Sequence, residues 1–556
     1  MSFADFDRKL KDVGRLKQIL EVLIKNELGF FVETLRLKKF LPLSRTIDSS
    51  KFIHKDTQPY RMAKVFEDLG GTFVKLGQLL SIRPDLVPKE YQEAFASLQD
   101  QVPSFPYPKA RAIVEKETRK KLNEIFLRFD PVPIAAASIG QVHSGKLKNG
   151  TKVAIKVQRP DIDKIFKTDI DMMYLFVHLF QRYHKEESEI VNFKEIVEEF
   201  EDYTTKELNY VNEAKNIEAF HKNFEGRTST KVPKVFWEHT TEKVLVMEYI
   251  EGRKLSELIK NKKPFNRKLI ARNIVDSILE QVFVHGVFHA DPHPGNVLVL
   301  PNYAIAWLDF GIVGYFDEEL KEKVTDVFIA TIKGDIDMLA RGLINLGAID
   351  DGIDMEIFKG DLQKNLAKFY GVPVKQINIG NLLQEIMNLA KKHGMKLPNN
   401  FVLLGKTIVT TQGIASELDP TFNLVSAAQP FVEGLIKRRS SPRFLIGRAF
   451  KSAQQFKQFI SSMPKQATEL MQRMRQTEKL GEKIDTDIKT LAVEMDKSSN
   501  RIALGLLITA FLISSALIWS FGQPMLFGLP AFSLIGFAMA FFLLFVLTMS
   551  IAREKL

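Results

Sequence analysis

The chain has 556 residues, enough for a large core and, at ordinary domain sizes, for roughly three to four domains. Its 78 Lys and Arg against 67 Asp and Glu give a net charge of +11, which fits an anionic membrane surface or a phosphorylated ligand. We expect no nucleic-acid partner. The absence of cysteine excludes disulfides, thiolate metal sites and cysteine nucleophiles. The first residues, MSFADFDRKLKDV, include acidic residues and no apolar core, so we expect no cleaved signal peptide.

The first 60 residues mix basic and apolar positions. Within 16–40 apolar residues recur at helical spacing with lysines between them, which predicts an amphipathic helix. Two interpretations stay open. The helix packs on its own domain, or its basic bias brings it to a membrane surface.

A second helix is predicted over 70–80 by an apolar stripe that comprises Phe73, Leu76, Leu79 and Leu80. Lys75 and Gln78 lie three positions apart, so they share a face and could reach a common target. Gly77 costs the helix about 1 kcal/mol, which suggests that another backbone or a ligand comes close there. The residues alone favour a solvated lysine and glutamine.

A hairpin is predicted at Lys148-Asn149-Gly150, because Asn-Gly between two apolar alternating runs is a strong turn signal. Its second strand carries VAIK, as in protein kinases, which places Lys156 to contact the α- and β-phosphates of a nucleotide. The carboxylate partner of this lysine is expected on a later helix. Glu207 and Glu213 supply candidates on a helix predicted to begin near Phe193.

The stretch 133–142, PIAAASIGQV, stands where a protein kinase has its glycine-rich loop. Small residues are needed there so that backbone N–H groups can approach the phosphates. Alanine meets the size demand but lacks the freedom of glycine at positive φ, so we expect a stiffer loop that holds phosphates differently. The predicted nucleotide contacts are Ala135, Ala136, Ala137, Ser138 and Gly140.

Two further elements complete the predicted nucleotide lobe. The apolar-rich stretch 162–183 is an amphipathic helix, most simply interpreted as core packing. A strand over 244–247 leads into a hinge, 248–252, whose backbone at Glu248 and Ile250 would bind adenine.

The stretch 287–311 carries the strongest signal in the chain. Asp291 and Asn296 lie five positions apart, as the catalytic Asp and metal-binding Asn do in the kinase pattern HRDxxxxN. Thirteen positions later, across a predicted hairpin, Asp309 opens a DFG motif, whose Asp binds Mg²⁺ in kinases. Three matched positions in order favour phosphoryl transfer over a hairpin with capping polar residues.

Three histidines near this stretch, His285, His289 and His293, invite a metal interpretation. Their spacing is that of a loop and cysteine is absent, so structural roles are favoured. After the DFG motif the chain passes directly to Asp317, a predicted helix cap, and no APE motif follows. A platform for a peptide substrate is therefore not expected.

The rest of the chain is predicted to be helical. Helices over 357–370, 379–393 and 401–417 complete the larger lobe, and 436–500 forms a stalk that is solvated or packs on itself or a partner. The apolar stretches 502–521 and 529–552 are each about long enough to cross a bilayer, which predicts a transmembrane hairpin. Basic residues flank both ends, so the positive-inside rule places the kinase-like domain in the cytoplasm.

These motifs together resemble the UbiB/AarF atypical kinases, called ADCK in animals. Lys75-Leu76-Gly77-Gln78 is similar to the KxGQ motif of that family, and the segments 83–88 and 98–103 look like its signature. The alanine-rich loop strengthens the match, which covers roughly residues 10–430. The resemblance implies an α+β, bilobal protein-kinase-like fold with an N-terminal helical extension over the active site.

The resemblance also implies residue roles. By that likeness Glu207 pairs with Lys75, Glu213 pairs with Lys156, and Lys75 and Gln78 form a lid that blocks peptides. The family has Asp where Asn209 stands, so no charge role is assigned at that position. Asp291 is then the catalytic carboxylate, Asn296 and Asp309 are Mg²⁺ ligands, and ATP is the nucleotide.

We therefore expect a membrane-anchored atypical kinase or ATPase that supports isoprenoid quinone biosynthesis, at the inner membrane of a bacterium, on a membrane lipid or quinone precursor. Other quinone-biosynthesis proteins and a second copy of the chain are expected partners. Two alternatives stay open, a protein kinase and a lipid-binding scaffold switched by nucleotide. The expected domains are 1–110 (helical extension), 111–252 and 253–435 (the two lobes), 436–500 (stalk) and 501–556 (two transmembrane helices).

Overall fold

The computed structural model describes residues 13–37, 58–81, 86–98, 103–184, 193–260, 265–346, 355–366, 379–395, 397–439, 504–517, 519, 525–526 and 529–553. The chain divides into two compact units, Met1–Arg438 and Arg439–Leu556, which are described separately. Most of the predicted stalk (440–500) and the signature residues 83–85 and 99–102 lie outside the described residues.

Helices form the N-terminal part of the first unit: α1 (Val13–Lys25), α2 (Gly29–Thr34), α3 (Gln58–Leu69), α4 (Gly71–Ser81) and α5 (Lys89–Ala96). The single helix predicted over 16–40 is two helices, because the chain turns at Glu27, where φ is +60°. The apolar face of α1 is buried within its own unit, at Leu16, Ile19, Leu20 and Leu23. That packing supports the first interpretation of the amphipathic pattern, since the apolar face is already covered.

An antiparallel sheet follows, preceded by α6 (Tyr107–Thr118) and α7 (Leu122–Ile125). Its strands are β1 (Phe126–Phe129), β2 (Ala135–Ala136), β3 (Gly140–Leu147), β4 (Lys152–Gln158) and β6 (Val244–Glu248). They are ordered β1-β3-β4-β6, with β2 paired to β3. Gly150, with φ of +85°, lies in the turn between β3 and β4, so the predicted hairpin is confirmed.

Three helices connect the sheet to the N-terminal extension. α8 (Ile162–Tyr183) has the predicted bounds and packs in one apolar cluster with the N-terminal helices. α9 (Phe193–Glu207) begins where predicted, but the chain breaks before α10 (Tyr210–Asn223), so the two glutamates lie on two helices instead of one. Asn209 caps α10 by accepting a hydrogen bond from the Val211 N–H at 3.0 Å. Asn and Asp cap helices about equally well, which accounts for Asn at this position.

The larger lobe is mainly helical: α11 (Leu255–Lys260), α12 (Arg267–Glu280), α13 (Glu318–Lys333), α14 (Ile336–Leu346), α15 (Met355–Leu366), α16 (Ile379–Lys392), α17 (Asn399–Leu418) and α18 (Leu424–Arg439). α12 continues directly into a π-helical turn, Gln281–His285. Asp317 caps α13, as predicted, by accepting from the Leu320 N–H at 2.7 Å.

Short strands line the boundary between the lobes: β5 (Thr230–Lys231), β7 (Arg253–Lys254), β8 (Val287–His289), β9 (Val297–Val299), β10 (Ile305–Trp307) and β11 (Val313–Tyr315). Four of them form a sheet in the order β5-β10-β9-β7, and β8 pairs with β11. A sheet-based lobe, a helical lobe and a helical N-terminus confirm the predicted α+β, kinase-like fold.

The C-terminal unit contains one helix long and apolar enough to cross a membrane, by length and composition. This is α20 (Ala531–Arg553), whose window Ala531–Met549 has a mean hydropathy of 2.4. The preceding apolar helix, α19 (Leu504–Leu517), has 14 described residues, about 21 Å at 1.5 Å per residue, against a hydrocarbon core of about 30 Å. A pair of short strands, β12 (Met525–Leu526) and β13 (Leu529–Pro530), precedes α20. The prediction of two full spans is therefore not supported by the described residues, whereas one candidate span is.

Candidate active site

The catalytic loop leads from β8 into the hairpin of β9 and β10. The register pairs Val297 with Trp307, so Asn296 and Asp309 emerge at the same end of the hairpin. The Leu308 N–H donates to the Asn296 carbonyl at 3.1 Å, and Nδ2 of Asn296 lies 3.4 Å from the Asp291 carbonyl. The structure thus brings together the three polar positions that the spacing singled out.

The loop is supported by the π-helical turn at the end of α12. Gln281 is buried there, and its Oε1 accepts the His289 N–H at 2.9 Å. Such turns put an extra residue into a helix and often occur at functional sites. Each nearby histidine contacts a protein group: His285 the Glu280 carboxylate at 3.6 Å, His289 the Asp291 N–H at 3.2 Å, and His293 the Gly295 N–H at 3.2 Å.

The phenylalanine of the DFG motif fixes Asp309 relative to α10. Phe310 is fully buried, and its ring packs 4.8 Å from that of Phe220. The Phe310 carbonyl accepts a hydrogen bond from Nδ2 of Asn216 at 2.9 Å. Since α10 also carries Glu213, these contacts fix the position of the Asp309 carboxylate relative to the Glu213 carboxylate.

Lys156 joins the two sides of the site. Its Nζ lies 2.9 and 2.8 Å from the two carboxylate oxygens of Glu213 and 3.6 Å from Asp309. Burial disfavours the charged lysine, but Asp309 and Glu213 outweigh it and keep the Lys156 pKa well above its usual range. Desolvation in the cleft also opposes ionisation of Asp309, yet Lys156 and the Gly311 N–H lower the pKa of Asp309 to about 2. Both groups are therefore charged at neutral pH.

Lys75 reaches the same site from the N-terminal helix α4. It is 7% exposed and forms an ion pair with Glu207, the last residue of α9. Burial raises the pKa of Glu207, and Lys75 opposes that rise. Nε2 of Gln78 lies 3.5 Å from the Leu98 carbonyl, and a target shared with Lys75 stays a prediction.

The requirement for Gly77 has a packing origin. A Cβ at this position would lie 2.3 Å from Leu98 Cδ1 and 2.9 Å from Phe66 Cδ2. The group that comes close to Gly77 is therefore a pair of apolar side chains of the extension, and neither a backbone nor a ligand.

The Lys75–Glu207 pair predicts a stability effect. Lys75→Met leaves a buried carboxylate without its cation, which should lower the free energy of unfolding by about 3 kcal/mol. Adding Glu207→Gln to that variant should recover most of the loss, because the uncompensated charge is removed. Chemical denaturation of the two single variants and the double variant gives the coupling energy.

The cost of Lys75→Met should also depend on pH. Glu207 has a folded-state pKa above its ordinary 4.5. Its carboxyl is protonated in both states at acidic pH, so the cost is small there and grows as the pH rises through the folded-state pKa. Arg111→Met, which breaks an exposed pair with Glu115, serves as control and should change stability little at any pH. A Lys75→Met cost that is small and independent of pH would contradict the buried pair.

The alanine-rich loop is a tight hairpin, and a side chain from outside the loop, Arg159, binds its backbone carbonyls. Cross-strand partners align Ala135 with Val142 and Val142 with Lys156, so the loop strand lies beside the lysine strand. The Arg159 guanidinium donates to the carbonyls of Ala137 at 3.1 Å and Ser138 at 3.2 Å. Arg159, which follows VAIK closely, was missed by sequence reasoning. Its guanidinium thus holds two carbonyls of the loop. The stiffness of the loop stays a prediction.

The other small positions of this loop are set by packing. Ser138 is buried, and its Cβ lies 3.6 Å from where a Cβ at Gly71 of α4 would stand, so the loop tip meets the extension. At Gly140 a Cβ would come within 2.3 Å of the Tyr210 hydroxyl and 2.6 Å of the Val157 carbonyl. Ala136 pairs with Gln141 in the same hairpin. The structure thus places all five predicted loop residues together.

The hinge residues lie at the end of β6. The Glu248 side chain pairs with Lys231 at 2.6 Å, so its predicted adenine contact would involve the backbone only. Ile250 is buried in a small cluster with Leu298 and Ala306. The adenine-binding role of the two residues stays a prediction.

Sequence reasoning also missed Lys406. Its Nζ donates to Oδ1 of Asp291 at 3.0 Å from the middle of α17. Desolvation opposes ionisation of Asp291, but Lys406 keeps the pKa of Asp291 below its usual value. The signal available in the sequence was a lone lysine in the apolar run 401–409, FVLLGKTIV.

The residues present fit Mg²⁺. Asp309 is ionised, its side chain is 47% exposed, and Asn296 offers a second oxygen at the same end of the hairpin. Among the described residues no group of three or more His, Asp or Glu forms a metal cluster. Mg²⁺ is commonly bound by one or two carboxylates together with substrate phosphates, so the sparse donor set suits a nucleotide complex.

The fold and this site define an atypical kinase-like domain, for which ATP binding is implied. Residues 97–342 match the ABC1 atypical kinase-like domain, 362–423 the UbiB helical domain and 486–553 the ABC1/UbiB kinase-like C-terminal domain. The chain belongs to the ABC1/UbiB atypical kinase family.

Several individual proteins are similar to this chain. A "Probable protein kinase UbiB" of Marinobacter nauticus is 34% identical over 74% of this chain and 78% of its own length. An uncharacterized Synechocystis protein, sll1770, is 35% identical over a region that covers 65% of this chain and 62% of that relative. A solved Mycobacterium tuberculosis protein in complex with erythromycin is 25% identical, with a TM-score of 0.47 over 66% of this chain and 93% of that chain.

Proposed function

We propose that this chain is a membrane-anchored, ATP-dependent kinase or ATPase that supports isoprenoid quinone biosynthesis of the ubiquinone type and acts on, or senses, a small lipid-like molecule. The observation that carries the proposal is the connection after the DFG motif. Only residues 312–317 separate Gly311 from α13, and three of them form β11 against β8. A protein kinase uses its activation segment there to build a peptide platform. The site therefore supports a small acceptor or water better than a peptide.

The proposed chemistry assigns a task to each charged residue. The attacking hydroxyl oxygen, from an acceptor or from water, bonds to the γ-phosphorus while its proton passes to Asp291. The bond from the γ-phosphorus to the bridging oxygen breaks, and ADP leaves with that electron pair. Lys156, fixed by Glu213, contacts the phosphates. Asn296 and Asp309 would hold Mg²⁺, which supplies neutralisation of the phosphate charge.

We keep the expected domains, 1–110, 111–252, 253–435, 436–500 and 501–556, and propose α20 as an anchor that holds the catalytic domain on the cytoplasmic face of a bacterial inner membrane. Tethering raises the effective concentration of the site towards lipid-dissolved substrates. Other quinone-biosynthesis proteins and a second copy of the chain are the proposed partners.

Two rival functions are weaker. The name of the Marinobacter relative favours a protein kinase, but the short connection after Gly311 and the extension helix with Lys75 argue against peptide access. A scaffold switched by nucleotide requires no turnover. The presence of Asp291, Asn296 and Asp309 in one constellation favours an enzyme.

Lipid vesicles test the proposed substrate class. Full-length protein in anionic vesicles should release phosphate from Mg-ATP several-fold faster when a phenolic quinone-precursor analogue with an isoprenoid tail is added. The reason is that a ligand bound in the membrane phase engages the tethered site. A saturated lipid alcohol of equal length is the matched control. Equal rates with both compounds would contradict a quinone-type ligand, and stimulation by a peptide instead would favour the protein-kinase rival.

A further inference from the structure

Asp291 receives its cation from a distant part of the chain. The catalytic loop 289–296 reads HADPHPGN and contains no lysine or arginine. Lys406 supplies the missing charge from 115 positions downstream, with Nζ 3.0 Å from Oδ1 of Asp291. The lysine side chain is 23% exposed and the Asp291 side chain 35%, so the contact is only partly solvated. A contact of this geometry is stronger than an ion pair at the open surface.

The helix that carries Lys406 contacts β8, which leads into the catalytic loop, and β11, which follows the DFG motif. The next residue, Thr407, is fully buried, and its hydroxyl lies 3.0 Å from the Leu403 carbonyl of its own helix and 3.3 Å from the His289 carbonyl. About two turns earlier, Nδ2 of Asn400 donates to the Tyr315 carbonyl of β11 at 2.7 Å. Lys406 is therefore held in register with Asp291 by its own helix.

The other charged groups near Asp291 already have partners or cannot compensate it. His289 is buried and its pKa is lowered, so it is neutral at neutral pH. Asp309 carries the same sign as Asp291 and pairs with Lys156. Lys75 pairs with Glu207. Within the described part of the chain, Lys406 is thus the cation placed to fix Asp291.

We propose that Lys406 is a positioning residue for phosphoryl transfer, which holds Asp291 through Oδ1 and leaves Oδ2 to accept the proton of the attacking hydroxyl. This inference rests on the proposed function. It also gives a catalytic task to the region 362–423, which matches the UbiB helical domain, because α17 brings Lys406 from that region to the catalytic loop.

Substitution of Lys406 in the full-length protein tests the role. Lys406→Met removes the donor and should lower kcat for Mg-ATP by about 10- to 100-fold, the usual cost of losing a group that orients a reacting side chain. The Kd for Mg-ADP should stay within about twofold, since Lys406 contacts Asp291 and not Lys156 or Asp309. Lys406→Arg should recover most of kcat, because a guanidinium also donates to a carboxylate. Lys437→Met, at an exposed position of α18, is the matched control and should leave kcat unchanged.

The outcomes separate the inference from the proposed function. A wild-type kcat in Lys406→Met overturns the positioning role and leaves the proposed function standing. Equal losses in kcat and in Mg-ADP affinity, or an arginine variant as impaired as the methionine variant, assign Lys406 a structural role and overturn the inference. A wild-type protein without Mg-ATP turnover overturns both. A fall in kcat alone, with rescue by arginine, supports Lys406 as a positioning residue.

Discussion

Asp309→Asn should abolish Mg²⁺-dependent nucleotide binding and reduce kcat/KM by on the order of 10³-fold. The substitution removes the ionised oxygen donor of the proposed metal site, and a metal ion contributes several kcal/mol of charge stabilisation in phosphoryl transfer. It also takes from Lys156 the carboxylate that lies 3.6 Å away, so the lysine relaxes towards Glu213. Calorimetric titration with ADP, in the presence and in the absence of Mg²⁺, measures nucleotide affinity. Phosphate release from Mg-ATP measures turnover.

The control for Asp309→Asn is Asp202→Asn, which removes an exposed carboxylate on α9 that pairs with its helix neighbour Lys206. Because the Asp309 pKa is about 2, wild-type Mg-ADP affinity that depends on this charge should persist at mildly acidic pH and decline only as the pH falls towards that value. Unchanged Mg²⁺-dependent affinity in Asp309→Asn would contradict the metal site.

Asp291→Asn should leave nucleotide binding intact and lower kcat by roughly 10²- to 10⁴-fold, the range that general acid–base groups contribute. The amide keeps the shape of the side chain and can still accept from Lys406, but it cannot take a proton from the attacking hydroxyl. Kd for Mg-ADP and kcat for Mg-ATP are measured on the same preparation. If affinity falls as far as kcat, Asp291 supports the loop and is not the proton acceptor.

Local patterns in the sequence were enough to predict much of this molecule. The bounds of α8 followed from its apolar periodicity, and the β3–β4 hairpin followed from Asn149-Gly150. The spacing of Asp291, Asn296 and Asp309 predicted that they meet, because a tight hairpin brings its two ends together whatever surrounds it. These features depend on residues close in sequence.

What the sequence did not reveal depends on long-range contacts. Lys406 meets Asp291 across 115 positions, and the packing of α17 on the catalytic loop has no local signature apart from one lysine in an apolar run. Arg159 reaches carbonyls that belong to another segment. The break between α9 and α10 could have been foreseen, since Asn209 is a good helix cap. At the other break, Asn26 and Gly29 flank the turn, but the residue with positive φ is Glu27, which has no turn preference of its own.

The fate of the γ-phosphate tests the central claim most directly. Full-length wild-type protein in anionic vesicles is given γ-labelled ATP with Mg²⁺, and the label is followed into inorganic phosphate, lipid-extractable material and protein. The account predicts Mg²⁺-dependent transfer of the label to water, which gives inorganic phosphate, or to a lipid-soluble acceptor, and neither product above background with Asp291→Asn. Bound ATP that stays intact, with wild-type protein no more active than Asp291→Asn, would contradict an ATP-dependent enzyme.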